Sequence, residues 1–164
     1  MSKLKLPASI KMVITDFDGV VTDNCVYISD NGDISRRLNF ADVMGFSRLK
    51  KNGYEIAIVS GEKNYAIEIL AKKFEIKEVH TNIRKKIDVV KEIVKKYSLK
   101  EDEYLYIGDD VNDLESLAFS KNKLTVPHAP KQLKELDGIQ ITENDGGNGA
   151  FREVAECLIG LKSL

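Results

Sequence analysis

The stretch that most constrains the fold is residues 11–23, in which a short apolar run leads directly into a cluster of carboxylates. Residues 12–14 are continuously apolar, which is typical of a central strand in a parallel sheet. Asp16 and Asp18 follow, and side chains two residues apart on an extended chain point to the same side. Carboxylates this close repel one another unless a cation neutralises them, and hard divalent cations prefer oxygen ligands. The stretch therefore predicts a buried strand that ends in a metal-binding loop, with a simple polar turn as the alternative.

Two further apolar runs end in polar residues, as the first one does. Residues 56–59 lead into Ser60, and residues 104–107 lead, across one glycine, to Asp109. Helical patterns separate these runs, and alternating strands and helices predict an α/β fold whose parallel sheet has right-handed crossovers. Ligands of such sheets bind at the carboxyl ends of the strands. We therefore expect Asp16, Ser60 and Asp109 to meet in one crevice.

The rest of the pattern predicts a single domain over residues 1–164 with one small insertion. A β-hairpin is predicted at about 24–40, because Asn31-Gly32 supplies the left-handed conformation of a tight turn. Apolar residues spaced by three and four predict the helices. The predicted helices span residues 43–51, 63–74 and 85–97, with two more at about 114–118 and about 151–159. The other predicted strands are residues 79–81 and two edge strands at 124–126 and 139–141.

The composition excludes several classes of function. The chain has 164 residues, of which 43% are hydrophobic and 31% charged, and its formal net charge is −1, so no basic surface for nucleic acid is expected. No apolar run has the length of a membrane span or the form of a secretory signal, and we expect a cytoplasmic protein without a membrane partner. Cys25 and Cys157 do not make a disulfide framework, and no spaced Cys/His set indicates zinc.

Four motifs in order resemble those of the haloacid dehalogenase (HAD) superfamily. Residues 16–23, Asp-Phe-Asp-Gly-Val-Val-Thr-Asp, resemble its first motif, Ser60 its second, Lys86 its third and residues 108–113, Gly-Asp-Asp-Val-Asn-Asp, its fourth. The whole chain, including Gly-Gly-Asn-Gly-Ala-Phe-Arg-Glu at 146–153, resembles one branch of that superfamily. This branch holds small phosphatases that act on 3-deoxy-2-keto sugar acid phosphates.

The resemblance implies a three-layer α/β/α Rossmann-like fold with the hairpin as a minimal cap, and a phosphatase that uses Mg²⁺. Asp16 would be the nucleophile that forms an aspartyl-phosphate, and Asp18 the general acid and base. Mg²⁺ would be held by the Asp16 carboxylate, the Asp18 main-chain carbonyl and Asp109. Asp113 would orient metal-bound water, with Asp110 as a second candidate.

The resemblance also implies a phosphate-binding set. The hydroxyl of Ser60 and the main chain of Gly61 would contact the phosphate, and Lys86 would be the phosphate-binding lysine. Lys86 opens an amphipathic helix, but Lys85 is adjacent and remains the alternative. Structural or solvated roles are predicted for the other candidates, which are His80, His128, Tyr104 and Tyr106.

The choice of substrate depends on two stretches. Eight-carbon ulosonate phosphatases usually have Thr-Gly-Arg at the second motif and Arg/Lys-Asp-Gly after the hairpin. This chain has Ser-Gly-Glu-Lys at 60–63 and Asn-Phe-Ala-Asp-Val-Met-Gly at 39–45, which are more similar to the nine-carbon enzymes. Glu62, paired with Lys73, would accept hydrogen bonds from sugar hydroxyls, and Asp42 is a further substrate-binding candidate. Alternatively, Glu62 only stabilises a helix N-terminus.

The resemblance also implies a homotetramer that assembles through the hairpins and in which a neighbouring subunit closes each site. Val26, Tyr27 and Ile28 would form that contact. Three alternatives are a non-catalytic assembly domain, as in sialic acid activating enzymes, a receiver domain phosphorylated on aspartate, and a HAD phosphatase of another small phosphate ester. The retained motif residues favour an enzyme, and an Asp-x-Asp pair on the first strand argues against a receiver.

Overall fold

The structure, a computed structural model, describes residues 4–162 and is built around a parallel sheet. The strands are β1 (Met12–Thr15), β2 (Tyr27–Ile28), β3 (Ile34–Ser35), β4 (Glu55–Val59), β5 (Glu78–His80), β6 (Tyr104–Ile107), β7 (Asn122–Thr125) and β8 (Gln140–Ile141). Six of them form one sheet in the order β5-β4-β1-β6-β7-β8, and every neighbouring pair is parallel. The predicted α/β class is confirmed.

Helices cover both faces of this sheet. They are α1 (Phe40–Lys51), α2 (Tyr65–Lys73), α3 (Lys86–Lys96), α4 (Leu114–Phe119), α5 (Lys131–Lys134) and α6 (Ala150–Lys162), with a 3₁₀ turn at Val111–Asp113. Buried residues of α1, α2 and α6 pack on one face, and those of α3, α4 and α5 pack on the other. Because β1 lies in the middle and is covered on both sides, all four of its residues are buried, as its continuous apolar run predicts.

The ends of several elements differ from the prediction for local reasons. Helix α1 begins at Phe40, three residues before the predicted start, because the Asn39 side chain accepts a hydrogen bond from the Ala41 amide (2.8 Å) and caps the helix. The short helix α5 and the 3₁₀ turn were not predicted. The prediction that β7 is an edge strand is wrong, since β7 pairs with β6 on one side and β8 on the other.

The predicted hairpin consists of two very short antiparallel strands, β2 and β3, with Gly32 in the left-handed region (φ 88°). Its apolar side chains face solvent in the single chain, with Tyr27 59% exposed and Ile28 67% exposed. Two arginines after β3 attach it to the body of the protein. Arg36 contacts Asp18, and Arg37 contacts Asp23. The hairpin is therefore joined to the loop that follows β1.

Within residues 4–162, none of the helices combines the length and the apolar character that crossing a membrane requires.

Candidate active site

The carboxyl ends of the three central strands meet at an acidic cleft. Asp16 follows β1, Ser60 follows β4, and Asp109 follows β6 after one glycine, so the sheet brings these three distant residues together as the sequence predicts. The cleft has a volume of about 370 Å³. Its lining consists of Asp16, Asp18, Asn24, Ser60, Gly61, Glu62, Ile83, Arg84, Asp109, Asp110 and Asn112.

A buried lysine contacts Asp16, one of the residues that line this cleft. Lys86, the first residue of α3, places its Nζ 2.7 Å from Asp16 Oδ2 and 2.8 Å from Asp113 Oδ1, and its side chain is fully buried. The side chain of Lys85 is 65% exposed and contacts Asp88 on the surface of the helix. The start of α3 therefore directs Lys86, and not Lys85, at the predicted nucleophile.

Asp113 holds the loop that carries Asp109. Its Oδ1 accepts hydrogen bonds from Lys86 and from the Tyr106 hydroxyl (2.5 Å), and its Oδ2 accepts from the main-chain amides of Asp109 (3.1 Å) and Asp110 (3.3 Å). A Cβ at Gly108 would lie 2.4 Å from Asp113 Cγ, so only glycine allows this approach. Asp113 thus orders the loop, in addition to any contact with metal-bound water.

Asp18 is held by neutral and cationic donors from three parts of the chain. Its Oδ1 accepts from the Thr22 hydroxyl and from Arg36 Nε, each at 3.0 Å, and its Oδ2 lies 3.4 Å from Asn64 Nδ2. Asn64 is also the N-cap of α2. The carboxylate therefore has a fixed orientation at the cleft wall while remaining in contact with solvent, since its side chain is 20% exposed.

The buried carboxylates form a set that suits a divalent cation. Oxygens of Asp16, Asp109 and Asp113 lie within 4.8 Å of one another. Burial, reinforced by the charge of Asp113, raises the pKa of Asp16 well above its usual value and raises that of Asp109 to about 6. Lys86 supplies only one positive charge against three carboxylates. A hard cation with oxygen ligands would complete the charge balance, and Asp16 and Asp109 are the side chains that could hold it.

The structure does not bring two of the predicted substrate-binding residues to the cleft. Asp42 is fully buried in α1, where its carboxylate accepts hydrogen bonds from the amides of Gly149 (2.9 Å) and Arg152 (3.1 Å) at the start of α6. Lys73 lies at the far end of α2, with its ammonium 5.5 Å from the Phe74 ring. Neither lines the cleft, whereas Glu62 does.

Three residues at the cleft were not predicted as site residues. His128 Nε2 lies 3.2 Å from Asp109 Oδ2, and Asn24 Nδ2 lies 3.3 Å from the same oxygen. Arg84 is exposed, and among residues 4–162 it is the one cationic side chain in the cleft lining. A signal for His128 exists in the sequence, since it lies a few residues past the end of β7, at the same edge of the sheet as the other site residues.

The fold and the four motif residues define a class of enzyme. The family model described as haloacid dehalogenase-like hydrolase matches residues 76–153. A HAD family hydrolase from Streptomyces avermitilis MA-4680 is 31% identical in sequence, with a TM-score of 0.86 over 95% of this chain and 96% of that one. The chain belongs to the haloacid dehalogenase-like hydrolases, and it is a phosphatase, as predicted.

More specific relatives share one activity in their names. The 3-deoxy-D-manno-octulosonate 8-phosphate phosphatase of Haemophilus influenzae is 29% identical over 152 residues, which are 92% of this chain and 83% of that protein. The structure of the Moraxella catarrhalis phosphatase of the same name, in complex with a magnesium ion, a phosphate ion and KDO, has a TM-score of 0.87 and 27% identity, and covers 94% of this chain and 88% of its own. Together with the acidic cluster, these relatives confirm Mg²⁺ as the cofactor.

Proposed function

We propose that the chain hydrolyses the terminal phosphate of a 3-deoxy-2-keto sugar acid phosphate through an aspartyl-phosphate intermediate. The observation that carries this proposal is the buried Lys86 ammonium, which lies between Asp113 and Asp16, the latter a residue of the acidic cleft. A phosphatase needs a nucleophile, positive charge beside the phosphate and a proton donor for the leaving oxygen. The cleft offers all three from side chains, and Mg²⁺ held there would add further positive charge.

Asp16 is the proposed nucleophile. The main-chain amide of Phe17 donates to Asp16 Oδ1 (2.6 Å) and Lys86 donates to Oδ2 (2.7 Å), so the carboxylate has one orientation. An Asp16 oxygen bonds to phosphorus while the bond from phosphorus to the sugar oxygen breaks, and Asp18 gives that oxygen a proton. Water then attacks the phosphorus, Asp18 takes the proton of the water, and the Asp16 carboxylate is restored.

The metal ligands in this proposal are the Asp16 carboxylate, the Asp18 main-chain carbonyl and Asp109. Bound Mg²⁺ would neutralise charge between the anionic nucleophile and the anionic phosphate. Asp110 and Asp113 act from further away. Asp113 does so by fixing the Asp109 and Asp110 amides, as its two hydrogen bonds indicate.

The phosphate would be bound by donors at the ends of β4 and α3. Ser60 Oγ accepts a hydrogen bond from the Glu62 amide (3.2 Å), which leaves the hydroxyl proton free to be donated to a phosphate oxygen. Gly61 has no side chain to block this approach, and the nearest atom to a Cβ there would be Asn112 Nδ2 at 3.5 Å. Lys86 completes the set from below.

The sugar end of the substrate would meet Glu62 and Arg84 at the cleft mouth. A guanidinium recognises a carboxylate through two parallel hydrogen bonds, and the side chain of Arg84 forms no hydrogen bond or ion pair among residues 4–162. Arg84 therefore suits the carboxylate of a sugar acid, and Glu62 suits sugar hydroxyls. The names of the relatives favour an eight-carbon substrate, whereas Glu62 favours a nine-carbon one.

We also propose a homotetramer in which a neighbouring subunit closes the cleft. Support comes from the hairpin, whose apolar side chains are exposed in the single chain although a hairpin this short is marginal unless it packs on something. The exposed set consists of Val26, Tyr27, Ile28 and Ile34. A non-catalytic assembly domain is less well supported, because such a domain has no need of a buried Lys86 between two carboxylates.

A steady-state panel tests the function. Phosphate release should be compared for eight- and nine-carbon ulosonate phosphates, the matching neutral sugar phosphate and p-nitrophenyl phosphate, for the natural chain and for Arg84→Ala. We expect Arg84→Ala to raise KM for the ulosonate phosphates by about tenfold, the value of one charge-assisted contact, and to leave p-nitrophenyl phosphate nearly unchanged. Lys85→Ala is the matched control on the adjacent surface. Equal rates for acid and neutral sugars would contradict the proposed substrate class.

A further inference from the structure

We propose that His128 is a positioning residue for the metal ligand Asp109. It acts as the middle member of a chain that runs from Asp145 through the imidazole to the Asp109 carboxylate. The proposal goes beyond the phosphatase reaction itself and rests only on Asp109 as a ligand of the cation. The sequence alone predicts a structural or solvated role for His128, and the structure instead places it in contact with the site.

Asp145 fixes the imidazole ring. Asp145 Oδ1 lies 2.5 Å from His128 Nδ1, and the same oxygen accepts hydrogen bonds from the main-chain amides of His128 (3.2 Å) and Gly146 (3.0 Å). The two contacts from His128 hold the loop after β7 against the loop after β8, and the contact from Gly146 fixes the Asp145 carboxylate within its own loop. The ring therefore presents its other nitrogen, Nε2, to Asp109 Oδ2 at 3.2 Å.

The Asp109 carboxylate is confined on its other sides. Asn24 Nδ2 lies 3.3 Å from Oδ2, and a Cβ at Gly19 would lie 1.9 Å from the same atom, so the carboxylate packs directly over the Gly19 main chain. His128 and Asn24 both engage Oδ2, whereas Oδ1 accepts no hydrogen bond from the part of the chain between residues 4 and 162. This arrangement leaves Oδ1 available for a cation and prevents the carboxylate from rotating.

Loss of the contact should weaken metal binding and little else. A partner that orients a metal ligand is typically worth about 10- to 100-fold in metal affinity. The loss should therefore be measured as a higher Mg²⁺ dissociation constant of the free protein. A merely structural role would instead lower stability and leave the Mg²⁺ dissociation constant unchanged.

Two substitutions at His128 test the contacts of the two ring nitrogens separately. The amide of His128→Asn can occupy the position of Nδ1 and reach Asp145, but it is too short to reach Asp109. The amide of His128→Gln extends to the position of Nε2 and can donate to Asp109. His80→Gln is the matched control, because His80 lies at the end of β5 and contacts Glu78 rather than the site.

Direct titration of each purified protein with Mg²⁺ by calorimetry, without substrate, is the test. We expect the dissociation constant to rise at least about tenfold for His128→Asn and to stay within about threefold of the natural value for His128→Gln and His80→Gln. Unchanged Mg²⁺ affinity in His128→Asn, or equal loss in the Asn and Gln variants, would overturn the proposal. Because binding is measured in the absence of turnover, the result does not depend on the identity of the substrate.

Discussion

Replacement of Lys86 by methionine tests whether the buried ammonium holds the site together. The side chain of Lys86 is 0% exposed, and its Nζ contacts two carboxylates that are themselves buried. Lys86→Met keeps most of the volume but leaves Asp16 and Asp113 without their counter-charge. Removal of one partner of a buried charge pair typically costs about 3–5 kcal/mol. We therefore expect the free energy of unfolding to fall by about that amount in the absence of Mg²⁺.

Urea denaturation in the presence of a chelator measures this loss. With a typical denaturant slope of about 1–3 kcal/mol per molar urea, a loss of about 3–5 kcal/mol should lower the midpoint by roughly 1–5 M. Lys85→Met is the control, since its surface ion pair with Asp88 should be worth less than about 1 kcal/mol. Adding Asp113→Asn to Lys86→Met should recover part of the loss, because one uncompensated carboxylate is removed. If Lys86→Met and Lys85→Met unfold at the same urea concentration, the ion pairs of Lys86 with Asp16 and Asp113 do not stabilise the fold as expected.

Three further predictions concern the hairpin, the sugar end and acid stability. The double substitution Val26→Glu and Ile28→Glu should dissociate the oligomer and lower turnover. If light scattering shows that the natural chain is a monomer and this monomer is fully active, the proposed tetramer is contradicted. Glu62→Ala should lower kcat/KM for the ulosonate phosphate by roughly 10- to 100-fold but spare p-nitrophenyl phosphate, and equal losses on both would limit Glu62 to supporting the loop. Burial raises the pKa of Glu78, but hydrogen bonds from Lys96, His80 and Tyr97 outweigh it and bring the pKa below its ordinary 4.5. The stability that Glu78 contributes is therefore present above pH 4.5 and is lost as the pH falls through the lowered pKa. The difference in urea midpoint between the natural chain and Glu78→Gln should therefore disappear on acidification. A difference that does not change with pH would refute this.

The meeting of the main site residues follows from the sequence, because parallel strands place their carboxyl ends at one edge of the sheet. Asp16, Ser60 and Asp109 each end an apolar run, and no knowledge of side-chain geometry is needed to bring them together. The choice between Lys85 and Lys86 needs more. It depends on the rotational phase of the first turn of α3, which apolar spacing defines only to within about a residue at a helix end.

Contacts between distant loops could not be predicted from spacing. The role of His128 depends on Asp145, which follows β8, and on Asp109, which follows β6, so it emerges only when β6, β7 and β8 are in register. The position of Asp42 away from the cleft has the same kind of reason, since packing of α1 against α6 directs its carboxylate to the amides at the start of α6. Lys73 lies at the far end of α2, away from the cleft of its own chain.

Chemical trapping of the intermediate tests the central claim, that Asp16 attacks the phosphate, most directly. Sodium borohydride reduces an aspartyl-phosphate to homoserine, and peptide mass spectrometry locates the product. During turnover of the ulosonate phosphate we expect homoserine at position 16 alone, and none without substrate or in Asp16→Asn, which should also release no phosphate. Substantial turnover by Asp16→Asn, or homoserine at position 18 in place of position 16, would contradict the account.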